Sequence, residues 1–395
     1  TVLFIASKTT NFTFTVLKDI MNKDLEILGH EHLKKHLVSS AERGRVPHAQ
    51  LFVGPEGCGA LPMAIGYANL ILNKNTPDLK FMGDILHPDL HFVFPTTTSE
   101  KVKSHPTSKL FMEEWREFIK DNPYGNLMDW LKQAGLEKKQ GVINVEDAAD
   151  VYKTTSLKSY TGGYKVIIIW MAEKMNISTA NKLLKIIEEP PAQTVFLLVA
   201  EAEEDIIQTI RSRCQLIRFN PLPEHTIATA LMEHEGIDKD EATKIAHQCQ
   251  GNYSTALHYA KQDSSDQEFE ELFIKWMRTA YSAKGRPSSV LELINWSEEI
   301  SVKGRETQKK FLEYCLSMLR QALLINYTAH DLVFMKTTTP GFDLNKLAPF
   351  VDGHNIIDFV EEISKAIYHI ERNGNQKVIF TDLSLKLTRI FHLPK

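Results

Sequence analysis

The sequence predicts a parallel α/β domain followed by an all-helical region, and three observations carry that prediction. Short apolar runs alternate with helix-periodic stretches between residues 33 and 219, as a sheet covered on both faces requires. One run, Ala49–Val53, leads straight into the glycine turn Gly54-Pro55-Glu56-Gly57-Cys58-Gly59 and a small-residue helical stretch, the order that opens a βαβ unit. After Asn220-Pro221-Leu222-Pro223 the strand signals nearly vanish and helical periods take over.

Taken in order, residues 33–42 read as a helix closed by Arg43-Gly44-Arg45-Val46-Pro47, and residues 49–53 as the first strand. Residues 61–72 form the next helix and 91–94 a second strand, followed by a polar stretch and a helical pattern over 108–135 that carries Trp115 and Trp130. The Ile-rich run 165–170 is the strongest strand of the chain and follows the turn Tyr160-Thr161-Gly162-Gly163. It leads to a helix over 178–188, stopped by Pro190-Pro191, and to strands over 194–200 and 215–219. Residues 225–235, 240–248 and 254–262 read as three short helices, and 262–267 as a linker. Helical periods then occupy 268–281, 288–301, 306–329, 355–373 and 378–392, and no internal repeat is found.

Composition narrows the function classes. The 395 residues, 43% of them hydrophobic, suffice for two to four domains with ample core. With 46 Lys+Arg against 50 Asp+Glu, the net charge of -4 excludes a strongly basic coat for nucleic acid, though not a local basic patch. The longest apolar stretches are strand-sized, so no membrane helix is expected. The first residues lack a basic region followed by a continuous apolar core, so they do not read as a signal peptide, and Met21 would make a sensible start. Cys58, Cys214, Cys249 and Cys315 lie far apart, which supports neither a disulfide framework nor a zinc ribbon. A reducing cytoplasm is the expected compartment, and no metal site is expected; His87, His91 and His105 lie on a stretch interrupted by proline.

The glycine turn sits where a phosphate loop would, between a buried strand and a helix start. Such a loop needs glycines so that amides can wrap phosphate oxygens, a Lys for the β and γ phosphates, and a Ser or Thr for magnesium. Here Gly54, Gly57 and Gly59 preserve the glycine frame, while Ala60 and Leu61 occupy the Lys and hydroxyl positions. A tight turn without ligand is favoured over residual nucleotide binding through the amides and helix N-terminus. A second test agrees. The strand that would end in an Asp for magnesium and a Glu for the attacking water ends in Trp170 and Met171. Glu173 is nearby but displaced.

At this point the residues resemble a known family. The run Asn181-Lys182-Leu183-Leu184-Lys185-Ile186-Ile187-Glu188-Glu189-Pro190-Pro191, with Arg211-Ser212-Arg213-Cys214 further on, is similar to the N-x-L-L-K-x-x-E-E-P-P and S-R-C signature of AAA+ clamp-loader subunits. Ile27-Leu28-Gly29-His30 and Arg45-Val46-Pro47-His48-Ala49 resemble the segments that open the same family, and Asn373-Gly374-Asn375-Gln376-Lys377 resembles a collar segment. Within the family the chain looks like the delta-prime class of the bacterial DNA polymerase III clamp loader, which keeps S-R-C but lacks a working site. Departures go further still. Residues 200–201 stand where a γ-phosphate sensor would lie, Ser254 replaces the arginine of the G-S-x-R-x-A-L motif, and residues 96–141 replace a zinc module.

The resemblance implies an AAA+ P-loop-type domain over residues 21–220, a small helical lid over 221–263 and a helical collar for oligomerisation over 264–395. Residues 1–20 form an N-terminal extension whose order the sequence leaves open. It implies a subunit with no cofactor and no ATPase activity of its own, in a polymerase holoenzyme. Arg213 would act in trans as an arginine finger, since guanidinium is permanently charged and forked, with Ser212 and Cys214 supporting the turn. Arg211 and Arg218 read as solvated or salt-bridged, and so do the basic stretches 101–109 and 182–185. Implied partners are the motor (gamma/tau) and delta subunits, the sliding clamp, and primer-template DNA through the assembled complex, with no membrane. An active motor ATPase, or a nucleotide-independent scaffold outside replication, are the alternatives, which copurifying partners would separate.

Overall fold

The computed structural model describes residues 27–73, 87–137, 139–261, 264–329, 332–333, 337 and 339–393. The expectation for residues 1–20 lies outside them. Two compact units emerge, one built from the described residues up to Leu136 and from Gly141–Ala260, the other chiefly from Lys261–Lys395.

The first unit is organised by five parallel strands, β1 (Ala49–Val53), β2 (Leu90–Val93), β3 (Lys165–Trp170), β4 (Thr194–Ala200) and β5 (Gln215–Arg218), in the order β2-β3-β4-β1-β5. The three central strands are buried at every position, which is why they read as unbroken apolar runs rather than alternating ones. Their side chains feed two cores, one on each face. Helices α1 (Glu31–Glu42) and α2 (Ala60–Asn73) border the first; α2 is buried along its whole length, which explains its mainly apolar sequence, interrupted by the amides of Asn69 and Asn73.

The described residues between 96 and 136 include α3 (Met112–Asp121) and α4 (Leu127–Gln133), whose aromatic side chains join the first core. A further helix, α5 (Val145–Ser156), was not anticipated. Its signal is a capping box, in which Asn144 and Asp147 exchange side-chain and backbone bonds at the helix start. Then come α6 (Ile177–Glu188), the single turn α7 (Gln208–Arg211), and α8 (Glu224–His234), α9 (Lys239–Gln248) and α10 (Tyr253–Ala260), which enclose a small core of their own.

The second unit is helical. It comprises α11 (Ser264–Ser282), α12 (Pro287–Ser301), α13 (Arg305–Asn326), α14 (Leu344–Leu347), α15 (Ile356–Glu371) and α16 (Gln376–Ile390). The linker expected over 262–267 is corrected from residue 264 onward, because Ser264 already opens α11 and its polar residues form the first turn. Trp276 and Trp296 stack at 4.4 Å in its core, and the Trp276 indole N–H donates to Ser384 Oγ at 2.8 Å. Among the described residues no helix is long and apolar enough to cross a membrane.

Candidate functional site

In open parallel sheets, ligands bind beyond the C-terminal strand ends, where the strand order reverses. Here β1, β3 and β4 end together, and Gly54 N–H donates to Ala200 O at 3.2 Å. The glycine turn wraps this point, with Gly57 (φ 72°) and Gly59 (φ 93°) in the left-handed region that favours glycine. The crevice is nearly filled. Its cavity, lined by residues 54–62, residues 123–126, Trp170, Met171 and Glu201 among others, measures about 40 Å³. Small-molecule sites need roughly 300–1,000 Å³.

What fills the crevice is apolar. Ala60 and Leu61 are 7% and 5% exposed and belong to the core under the sheet. Trp170, 3% exposed, packs against Trp115 (centroids 5.0 Å apart) and Phe118 (5.9 Å). Trp115 in turn stacks on Phe94 at 4.1 Å and meets Trp130 edge-on. The position that would hold a magnesium carboxylate therefore anchors the inserted helices. Met171 is buried as well. Nothing at these four positions can neutralise phosphate or accept a proton.

The turn is tied down from three directions. His30 Nε2–H donates to Cys58 O at 2.9 Å, and burial lowers the His30 pKa against the opposing effect of that bond. From the insertion, Asn126 caps α4 by accepting from Asp129 N–H with Oδ1, which leaves its amide nitrogen to donate to Glu56 Oε1 at 3.2 Å. From the helical segment, Asn252 does the same. Its Oδ1 accepts from Thr255 N–H, and its Nδ2 donates to the same Glu56 oxygen at 3.2 Å. Tyr253 N–H also donates to Gly57 O.

Tyr124 stands where these parts meet. Its ring is 5% exposed and lies edge-on to Tyr253 at 5.0 Å, and its hydroxyl accepts from Leu28 N–H at 2.7 Å. A Cβ on Gly59 would stand 3.0 Å from the Tyr124 ring, and one on Gly57 would collide with Asn252 Oδ1 at 2.0 Å. Ser254, where the motif has arginine, is 1% exposed, and its hydroxyl faces Asp129 Oδ2 at 3.5 Å; Asp129 Oδ1 pairs with His258 at 3.0 Å. Sequence reasoning missed Tyr124 and Asn126 because neither belongs to a motif, and it passed over Asn252, which stands at the Ser position of G-S-x-R-x-A-L, because attention went to Ser254.

Glu173 is held on the turn after β3. Although the side chain as a whole is half-buried, both carboxyl oxygens are inaccessible and make no hydrogen bond of normal geometry. Burial first, and Glu201 second, push its pKa up to about 7.

Arg213 lies elsewhere, after α7 at the start of β5. Ser212 closes the α7 turn, its N–H donating to Gln208 O at 2.9 Å and its hydroxyl to Thr209 O at 3.3 Å. Arg213 donates from Nε to Glu188 Oε2 at 2.7 Å and from Nη1 to Thr209 O at 2.8 Å. Glu188 closes the run shared with Glu189-Pro190-Pro191, so the two resemblance motifs meet through this pair. The Arg213 side chain remains 31% exposed in this pair. Cys214 packs against the second core, and burial pushes its thiol up to about 12, which makes it a packing group. Arg211 and Arg218 both pair with Glu203. His105 pairs with Glu146, and among the described residues no cluster of His, Cys, Asp or Glu side chains is placed to hold a metal.

Comparison with known proteins supplies the lineage. Residues 29–223 match the family model described as DNA polymerase III, delta subunit. The chain is similar to DNA polymerase III subunit delta' of Bacillus subtilis, 26% identical over 305 residues, covering 75% of this chain and 78% of that protein. The same subunit of Escherichia coli is 31% identical over 121 residues, 31% of this chain and 36% of that protein. Subunit gamma/tau of Mycobacterium tuberculosis is 26% identical over 224 residues, and the match spans only 32% of its length. Among solved structures, a gamma subunit-related protein of Thermotoga maritima aligns over 91% of this chain with a TM-score of 0.40 and 14% identity. Through residues 29–223 the chain is a relative of DNA polymerase III subunit delta'.

Proposed function

We propose that this chain is a non-hydrolysing stator subunit of a DNA polymerase III clamp loader, with Arg213 acting in trans on the nucleotide of a neighbouring motor subunit. One observation above all supports the reading. Ala60, Leu61, Trp170 and Met171 are core side chains at the positions where a lysine, a hydroxyl and two carboxylates would act. The glycine frame of Gly54, Gly57 and Gly59 remains as a vestigial phosphate loop, without a cofactor of its own. Ser212 and Cys214 shape the turn that presents Arg213. The AAA+ domain, the lid formed by α8–α10 and the helical collar would hold the chain in a complex with gamma/tau and delta subunits in the cytoplasm. That complex would open the sliding clamp at primer-template DNA, and a net charge of -4 suits a subunit that acts chiefly through other proteins.

ATP turnover by the reconstituted complex tests this reading. Arginine fingers contribute roughly 10³–10⁵-fold in rate where measured. Arg213→Ala should therefore lower clamp- and DNA-stimulated turnover at the adjoining site by orders of magnitude, and Arg213→Lys should restore little, because ammonium lacks the planar fork. Unchanged turnover in Arg213→Ala removes the finger assignment. Micromolar Mg-ATP affinity of the isolated chain removes the vestigial-loop assignment.

A further inference from the structure

Residues 122–126 join α3 to α4 in a tight turn, with Gly125 N–H donating to Asn122 O at 2.9 Å. Both flanking helices are fixed from behind by the aromatic cluster of Phe94, Trp115, Phe118, Trp130 and Trp170, and the Trp130 indole donates to Pro95 O at 2.8 Å. A rigid base therefore presents Tyr124 and Asn126 to the glycine turn.

The small core of α8–α10 is incomplete without this segment. Its buried members come from residues 222–257, with the single exception of Tyr124. Leu28, at the margin of that core, gives its N–H to the Tyr124 hydroxyl. Two further ties are polar. Glu56 Oε1 accepts one amide N–H from Asn126 and one from Asn252, so a phosphate-loop side chain joins the N-caps of α4 and α10. Asp129 holds His258 and faces Ser254.

From this geometry we infer that residues 123–126 are a built-in latch. They hold α8–α10 against the phosphate loop with protein groups alone, in the place where a nucleotide would otherwise bridge the two. Tyr124 supplies the apolar contact and Glu56, through the two asparagines, the polar one. The inference rests on the reading that the loop works without nucleotide, and it assigns a task to the insertion.

Hydrogen exchange of the full chain, followed by mass spectrometry, tests the latch. In Tyr124→Ala and in Glu56→Ala, amides of α8–α10 should exchange about 10-fold faster or more, while those of β3 and β4 keep their rates. Tyr124→Phe keeps the ring and loses the hydroxyl with its Leu28 bond, so it should fall between wild type and Tyr124→Ala. Glu56 is half-buried and lies outside both the aromatic cluster and the small core, so its variant carries the test if Tyr124→Ala does not fold. Unchanged exchange in α8–α10, or acceleration equal to that of β3 and β4, overturns the latch. A parallel series with Mg-ATP separates the two ideas. Wild-type protection of α8–α10 by Mg-ATP would overturn the nucleotide-free reading, and the variant series judges the latch without nucleotide.

Discussion

Placing an acidic residue at position 170 should damage the protein rather than give it a magnesium ligand. In Trp170→Asp the indole leaves a site that is 3% exposed and that it shares with Trp115 at 5.0 Å and Phe118 at 5.9 Å. Truncating a buried aromatic side chain costs about 3–5 kcal/mol. An unpartnered polar group left in the space adds about 1–3 kcal/mol. The total, about 4–8 kcal/mol, is comparable with the ~5–15 kcal/mol that holds a whole domain folded. Trp170→Phe keeps an aromatic ring and should cost only about 1–3 kcal/mol. Urea unfolding, read by hydrogen exchange on Lys165–Trp170 and Thr194–Ala200, follows this unit apart from the C-terminal helices. If Trp170→Asp stays within ~1 kcal/mol of wild type, the aromatic anchor is not what position 170 contributes, and the reasoning fails. It fails equally if the variant gains Mg-ATP affinity with its stability intact.

Two further predictions concern single carboxylates. The Glu173 pKa, pushed up from 4.5 to about 7 by burial and by Glu201, with Lys174 opposing, lies above its unfolded value. Its stabilising contribution is therefore complete below pH 4.5 and is lost as pH rises through 7. Glu173→Gln should flatten this decline and be the more stable form at pH 8, by at most about 3.5 kcal/mol at ~1.4 kcal/mol per pKa unit; an unchanged pH profile in chemical denaturation would refute it. Glu188→Ala frees one edge of the Arg213 guanidinium. Exposed pairs contribute ~1 kcal/mol or less, so kcat of the reconstituted complex should fall about 2–5-fold with KM unchanged. No change would mean that Glu188 does not align Arg213, and a fall as large as that of Arg213→Ala would give Glu188 a chemical role.

What the sequence reveals and what it hides follow the range of the forces involved. The strands Ala49–Val53, Lys165–Trp170 and Thr194–Ala200 are legible because burial on both faces writes itself as an unbroken apolar run. Helix α2 is legible because it starts at a glycine turn. Helix α5 has mixed polarity, so only its capping box announces it. The start of α11 is polar and reads as linker because its first turn carries no apolar periodicity. At the site, missing residues were legible and present ones were not. Ala60, Leu61, Trp170 and Met171 stand out against a motif, whereas Glu56 meets Asn126 across 70 residues and Asn252 across 196. No local pattern encodes such a meeting.

The glycines themselves acquire a different meaning from this geometry. A phosphate loop keeps glycine so that amides can approach an anion. In this chain the space above Gly57 is taken by Asn252, whose Oδ1 would lie 2.0 Å from an added Cβ, and the space above Gly59 by the Tyr124 ring at 3.0 Å. Both residues also hold positive φ, which side chains rarely adopt. The close approach that glycine permits is therefore used by protein groups from the insertion and from α10. A glycine frame on its own is thus poor support for nucleotide binding, because the backbone shape that cradles phosphate also seats a tyrosine and an asparagine cap. What decides between the two uses is the chemistry around the frame, and here Ala60, Leu61, Trp170 and Met171 are core side chains where a lysine, a hydroxyl and two carboxylates would stand.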